Sequence, residues 1–279
     1  MINSQSQQAS LAQRTGLALA EALRQERAGD LPTADGRIRQ INDLLIDGVR
    51  HEQLPDSIDR TRLRSPHSAA ALTINSFLRW RGATDQLPLA GWTGFDAVQF
   101  EVRCPTGLRG TPPHLDLLAL RAEVAVAVIV RCIEYLSRRK TAVAPSYDQL
   151  LATTPGLEPW RNQLDRLRHE PHYYRHVDPG ALIKFALALG RTFPDRPTVL
   201  LYLYWEPLNA DRFEEFCRHR KETAELADAV RDARVTFGPQ SFEAMWQEWA
   251  THGAPSWLAD HVARLRARYC VSIPAVKHA

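Results

Sequence analysis

Two neighbouring stretches decide how this chain reads: Pro113-His114-Leu115-Asp116-Leu117-Leu118-Ala119-Leu120 and, after a three-residue break, Val124-Ala125-Val126-Ala127-Val128-Ile129-Val130-Arg131-Cys132-Ile133-Glu134-Tyr135-Leu136. The first holds a short strand, 115–120. The second opens with a run to Cys132 that is nearly all apolar and rich in β-branched residues, which suits a central strand covered on both faces. Side chains alternate along a strand with period two, so Ile129 and Arg131 share one face. Just upstream, Val98, Phe100, Val102 and Cys104 alternate with Gln99, Glu101 and Arg103, the pattern of a half-buried strand. The linking stretch 105–113, which carries Arg109, holds too much Gly and Pro for a regular element.

Helical spacing surrounds this centre. Apolar positions Leu11, Leu17, Leu19 and Leu23 predict an amphipathic helix over 6–27. Residues 30–35 read as a loop and 36–51 as a second helix. Ser65-Pro66 is a capping and first-turn pair, so a third helix is expected from there to Phe77 or Trp80. After the second quoted stretch, 134–140 looks helical and 141–178 irregular. A helix over 179–189 stops at Gly190, and 198–205 (TVLLYLYW) is another buried strand. Helices are expected over 210–232, 239–249 and 256–269. The order is helix, three strands, helix, strand, with no linker. The reading is one α/β domain: an N-terminal helical extension (1–64), a core (65–205) and a C-terminal helical region (206–279).

Composition narrows the function classes. With 44% hydrophobic and 24% charged residues, a chain of 279 can bury a sizeable core. The longest apolar run, Val124 to Val130, is too short to span a bilayer. The polar start MINSQSQQAS lacks a secretory pattern, and Cys104, Cys132, Cys217 and Cys270 form no CxxC pair, so a reducing, cytoplasmic setting is expected. A net charge of +3 permits a nucleic-acid partner without demanding one. Lysine occurs only at 140, 184, 221 and 277. The other basic residues are arginines, whose forks pair well with phosphate, although a GC-rich coding sequence produces the same bias.

Many metal-dependent nucleases place one acid at the start of a hairpin strand, and a second acid two residues before a lysine on the next strand. The acids hold magnesium, which activates water and stabilises the leaving oxygen. Asp116 stands at the first position. From about Ser65 to about Tyr269, the chain resembles the PD-(D/E)xK superfamily, specifically a bacterial family of restriction-endonuclease-like proteins. The likeness includes PTGLRGTPPHLDLLA, HVDPGALIKFALALG, LLYLYWEPLNA and FCRHRKE. It implies an αβββαβ core, a central mixed sheet flanked by helices, with added terminal helices. It also implies a magnesium-dependent endonuclease acting on DNA. Members read Glu-Ser-Lys-Cys-x-Glu-Tyr-Leu where this chain has Ile129 through Leu136, and often carry a glutamine at Ala181. Asp116, Glu134 and Lys184 match. Ile129 replaces the second acid and Arg131 the lysine.

Ile129 cannot bind a cation. Arg131 can hold a phosphate bidentately but has too high a pKa for useful proton transfer. Magnesium binding is therefore expected to be weak or absent, with Asp116 as the remaining ligand. Three readings follow. The first is a DNA-binding protein with a degenerate site, contacting DNA through Arg109, Arg131 and Lys184. The second is a live nuclease pairing Asp116 with a relocated acid, Glu101 or Glu134; Glu123 lies about 20 Å up the strand from Ile129 and is no replacement. The third is an interaction module without nucleic acid. The oligomeric state is open, with a homodimer as one candidate. His169, His172 and His176 are spaced poorly for zinc. His219 and Glu222 read as a solvated helix face, and Trp205, Trp246, Trp249 and Trp257 as core.

Overall fold

The computed structural model describes residues 9–27, 37–137 and 140–274. Among these, ten α-helices surround one sheet: α1 (Leu11–Arg27), α2 (Ile41–Leu44), α3 (Arg60–Leu63), α4 (Ala69–Phe77), α5 (Ser146–Thr153), α6 (Glu158–His169), α7 (Pro179–Thr192), α8 (Glu214–Ala229), α9 (Phe242–His252) and α10 (Leu258–Tyr269). The strands are β1 (Ala97–Arg103), β2 (His114–Arg121), β3 (Val124–Arg131), β4 (Thr198–Tyr204) and β5 (Val235–Ser241). They lie side by side in chain order. β1, β2 and β3 pair antiparallel; β4 and β5 add in parallel to β3. The fold is thus α/β with an open mixed sheet.

The sheet separates two apolar layers. On one face Leu117, Val126, Val128 and Leu203 meet α4, α9 and α10. On the other Ala127, Ile129, Leu200 and Tyr202 meet α6, α7 and α8. β3 runs through the middle with seven of its eight residues buried, as its unbroken apolar sequence requires. α4 is buried all round, which suits its AAALTI sequence. α1 bridges both layers: Leu19 and Leu23 sit in the first, while Leu11 packs against the second. Ser10 and Gln13 start α1 with a reciprocal cap, each side chain accepting the other's backbone N–H. Its far end is tied to α10 by the Arg268–Glu26 pair.

Several expected elements differ. The helix over 36–51 is reduced, in its described part, to α2 and a 3-10 turn at His51–Gln53. Asn75 takes over the backbone there, accepting the Ile46 N–H and donating to the Leu44 carbonyl, both at 3.0 Å. Gly48, at φ 89°, breaks the run again. α4 starts three residues after Pro66, with Ser68 as its cap. Residues 134–137 form a 3-10 turn in place of a helix. Within 141–178, read as irregular, lie α5 and α6; Pro159 sits in the first turn of α6, where it costs nothing. β5 was hidden because Gly238 and Pro239 speak against a strand. At the sheet edge a missing N–H is tolerated. Residues 6–8 and the loop 30–35 lie outside the described residues.

Candidate functional site

At the carboxyl ends of β3 and β4, where open α/β sheets carry their ligand crevices, there is a cavity of about 750 Å³. Arg131 and Glu134 line it from β3 and the turn after it. Tyr202 lines it from β4, His67 from the approach to α4, and Asp178 and Ala181 from the start of α7. Ala12 of α1 forms a further wall. Behind that wall Gly16 lies so close to His67 that a β-carbon would stand 3.2 Å from the ring nitrogen.

The hairpin acid sits beside this cavity rather than in it. β2 and β3 pair from Arg121↔Val124 up to Leu117↔Val128, and the register then ends. At the next position Asp116 fills the gap: its Oδ2 accepts the Val130 N–H at 2.7 Å. Burial pushes its carboxyl up to about 6, against the pull of Arg131 and the Val130 amide, with Glu101 adding to the rise. Glu101 faces Asp116 from β1, with a left-handed backbone (φ 51°) that non-glycine residues rarely adopt. The strand reverses its faces there: Phe100 joins one apolar layer and Val102 the other. The Glu101 carboxylate is held by Arg62 at 3.3 Å and stands 3.6 Å from His114.

Ile129 is fully buried in the layer under α7. Arg131, two residues on, turns into the cavity. It donates to the Val130 carbonyl at 2.7 Å and, among the described residues, meets no carboxylate at ion-pair distance. Glu134 is committed to the backbone, accepting the Cys132 and Ile133 N–H groups at 2.6 and 3.1 Å. Asp178 caps α7 and accepts from the Thr141 amide and hydroxyl. Of the other expected DNA contacts, Lys184 lies over the Tyr147 ring at 5.6 Å. Arg109 is exposed on its loop, whose Gly107 packs against Arg191 at the far end of α7. The structure therefore gathers Arg131, Glu134 and Ala181 at one cavity, sets Asp116 and Glu101 beside it, and leaves Arg109 and Lys184 outside its lining.

These residues do not fit a resident magnesium ion. One Asp116 oxygen is spent on an amide, Ile129 offers no oxygen, and Glu101 is engaged by Arg62. Among the described residues, no three His, Cys, Asp or Glu side chains converge as metal ligands, the spaced histidines included.

Sequence reading missed the cavity floor. The Tyr202 hydroxyl bonds His219 Nε2 at 3.0 Å, and the His219 ring stacks on Tyr135 with centroids 4.0 Å apart. His219 and Glu222 are thus buried, against the expected solvated face. Glu222 accepts the N–H groups of Arg175, His176 and Val177 and pairs with Arg218, which fixes the segment that brings His176 to the cavity. The alternating tyrosines of YLY and the Asp178-Pro179 pair were the available signals. Trp205, Trp246 and Trp249 are core, as expected, and Trp257 packs against it. Compared with known proteins, the chain matches no family model, no curated protein and no solved structure.

Proposed function

We propose that this chain is a restriction-endonuclease-like protein of the PD-(D/E)xK kind that binds DNA and has lost the chemistry of cleavage. The element order supports the core: α4, three antiparallel strands, the helices ending in α7, then β4 parallel to β3. One observation carries the functional half. At the motif strand, the position of the second acid is an isoleucine sealed in the apolar layer, while its neighbour Arg131 presents a guanidinium to the cavity. That arrangement retains a phosphate-binding group and removes a metal ligand.

The test is a duplex titration across salt concentrations, followed by incubation of plasmid with magnesium. If Arg109, Arg131 and Lys184 each neutralise one phosphate, log K falls against log salt with a slope of about −2.7. The plasmid stays intact. Absence of binding at low salt counts against the DNA reading. Magnesium-dependent cleavage that vanishes in Asp116→Ala restores the active-nuclease reading.

A further inference from the structure

We propose that the cavity at the ends of β3 and β4 is a phosphate-monoester site that takes the terminal nucleotide of a nucleic-acid strand rather than a passing duplex; the strand-end part rests on the DNA-binding reading above. Size and enclosure come first. At about 750 Å³ the space lies in the range of single small-ligand pockets, roughly 300–1,000 Å³. α1 walls it with Ala12 and crosses from one apolar layer to the other, so the end of the sheet is bridged. A continuous duplex, with a major groove alone about 12 Å wide, has no through-route past such a strap. A strand terminus or a single nucleotide can enter from the open side.

Charge arrangement selects the phosphate. Among the described residues, three charged side chains line the space: Arg131, Glu134 and Asp178. Both carboxylates are already held by backbone N–H groups, two for Glu134 and two for Asp178. Among the described residues, Arg131 keeps donor capacity beyond its bond to the Val130 carbonyl. Its fork suits the terminal oxygens of a phosphate monoester. Ser65 and Ser68 border the same space at the start of α4, where the positive end of the helix favours an anion. Burial pulls the His67 pKa down, so at neutral pH that ring is an uncharged partner. The rest of the wall, including Tyr202, Tyr135 and Leu182, gives aromatic and apolar surface for a sugar and base.

The experiment compares a short linear duplex with 5′- or 3′-phosphorylated ends, the same duplex with hydroxyl ends, and a closed circle of the same sequence. It uses the full chain and fluorescence anisotropy. A phosphorylated end should bind about tenfold more tightly than either control, which is about 1.4 kcal/mol. Arg131→Gln should erase that preference. So should Ala181→Trp, which narrows the cavity without removing a charge and decides the matter if Arg131→Gln fails to fold. Residual salt-dependent binding should survive both. A nucleoside monophosphate that raises Tm in wild type but not in the variants, with no DNA bound at low salt, upholds the pocket and defeats the DNA reading. Equal affinity for all three DNAs, or a preference that persists in both variants, overturns the proposal.

Discussion

Asp116 accepts the Val130 amide at the one point where β2 and β3 stop pairing, so this hairpin acid doubles as a backbone partner for the central strand. Removing that acceptor leaves a buried N–H unsatisfied, and Asp116→Ala should cost about 1–3 kcal/mol by urea denaturation near pH 4, where the folded-state carboxyl is protonated and no buried charge is removed with it. A variant as stable as wild type would show that the amide finds another partner.

The same carboxyl makes a pH signature. Its pKa rises from 3.8 to about 6 on folding, so the folded state holds the proton more tightly than the unfolded chain. The associated stability is complete below the unfolded value and lost as pH climbs through 6, roughly 3 kcal/mol in all. Asp116→Asn has nothing to ionise. Its stability relative to wild type should therefore improve steadily between about pH 4 and 7. A flat difference across that window would show that Asp116 is not buried as a charge.

His219 gives the opposite slope. Burial pushes its pKa from 6.5 down to about 3, and His261 follows to about 4 for the same reason. A depressed histidine stabilises above its unfolded pKa, and that stability drains away as pH falls toward the folded value. Wild type should lose several kcal/mol between about pH 6.5 and 4. His219→Gln, which cannot charge, should flatten part of that loss while being less stable at pH 7. An unchanged acid slope would show that another group sets it.

Restoring the motif tests the family reading. Ile129→Glu places a carboxylate in an apolar layer and should cost about 3–5 kcal/mol on its own, as an unpaired buried charge does. In the triple variant with Arg131→Lys and Ala181→Gln, magnesium should recover stability, since it binds only the folded state. Thermal shift with and without magnesium reads this directly. No shift beyond wild type means that position 129 and Asp116 do not form a metal site.

Legibility followed local pattern. β2, β3 and β4 were plain in the sequence because an apolar run of that length has few other uses, and α7 because helical character returns at Pro179 after the irregular stretch. β5 was not, since an edge strand can carry Gly238 and Pro239 without penalty. Within the site, Arg131, Glu134 and Ala181 met as their positions suggested. Asp116 came out beside the cavity because the strands splay there, a backbone event that leaves no mark on residue types. His219 and Glu222 looked like a polar helix face. Each is buried by partners far away in sequence: Tyr202 for His219, and the 175–177 amides for Glu222.

The bridging helix has a consequence for how the chain reaches its native state. α1 is synthesised before the sheet, yet two of its partners lie far downstream: Glu26 waits for Arg268 and Arg14 for the Pro274 carbonyl. Contacts of such long sequence separation form late, after the loop between them has been paid for in entropy. A nascent chain would thus carry an assembled sheet with its carboxyl edge uncovered until the segment from Arg268 to Pro274 has emerged. The cavity would acquire its wall after the sheet that forms its floor.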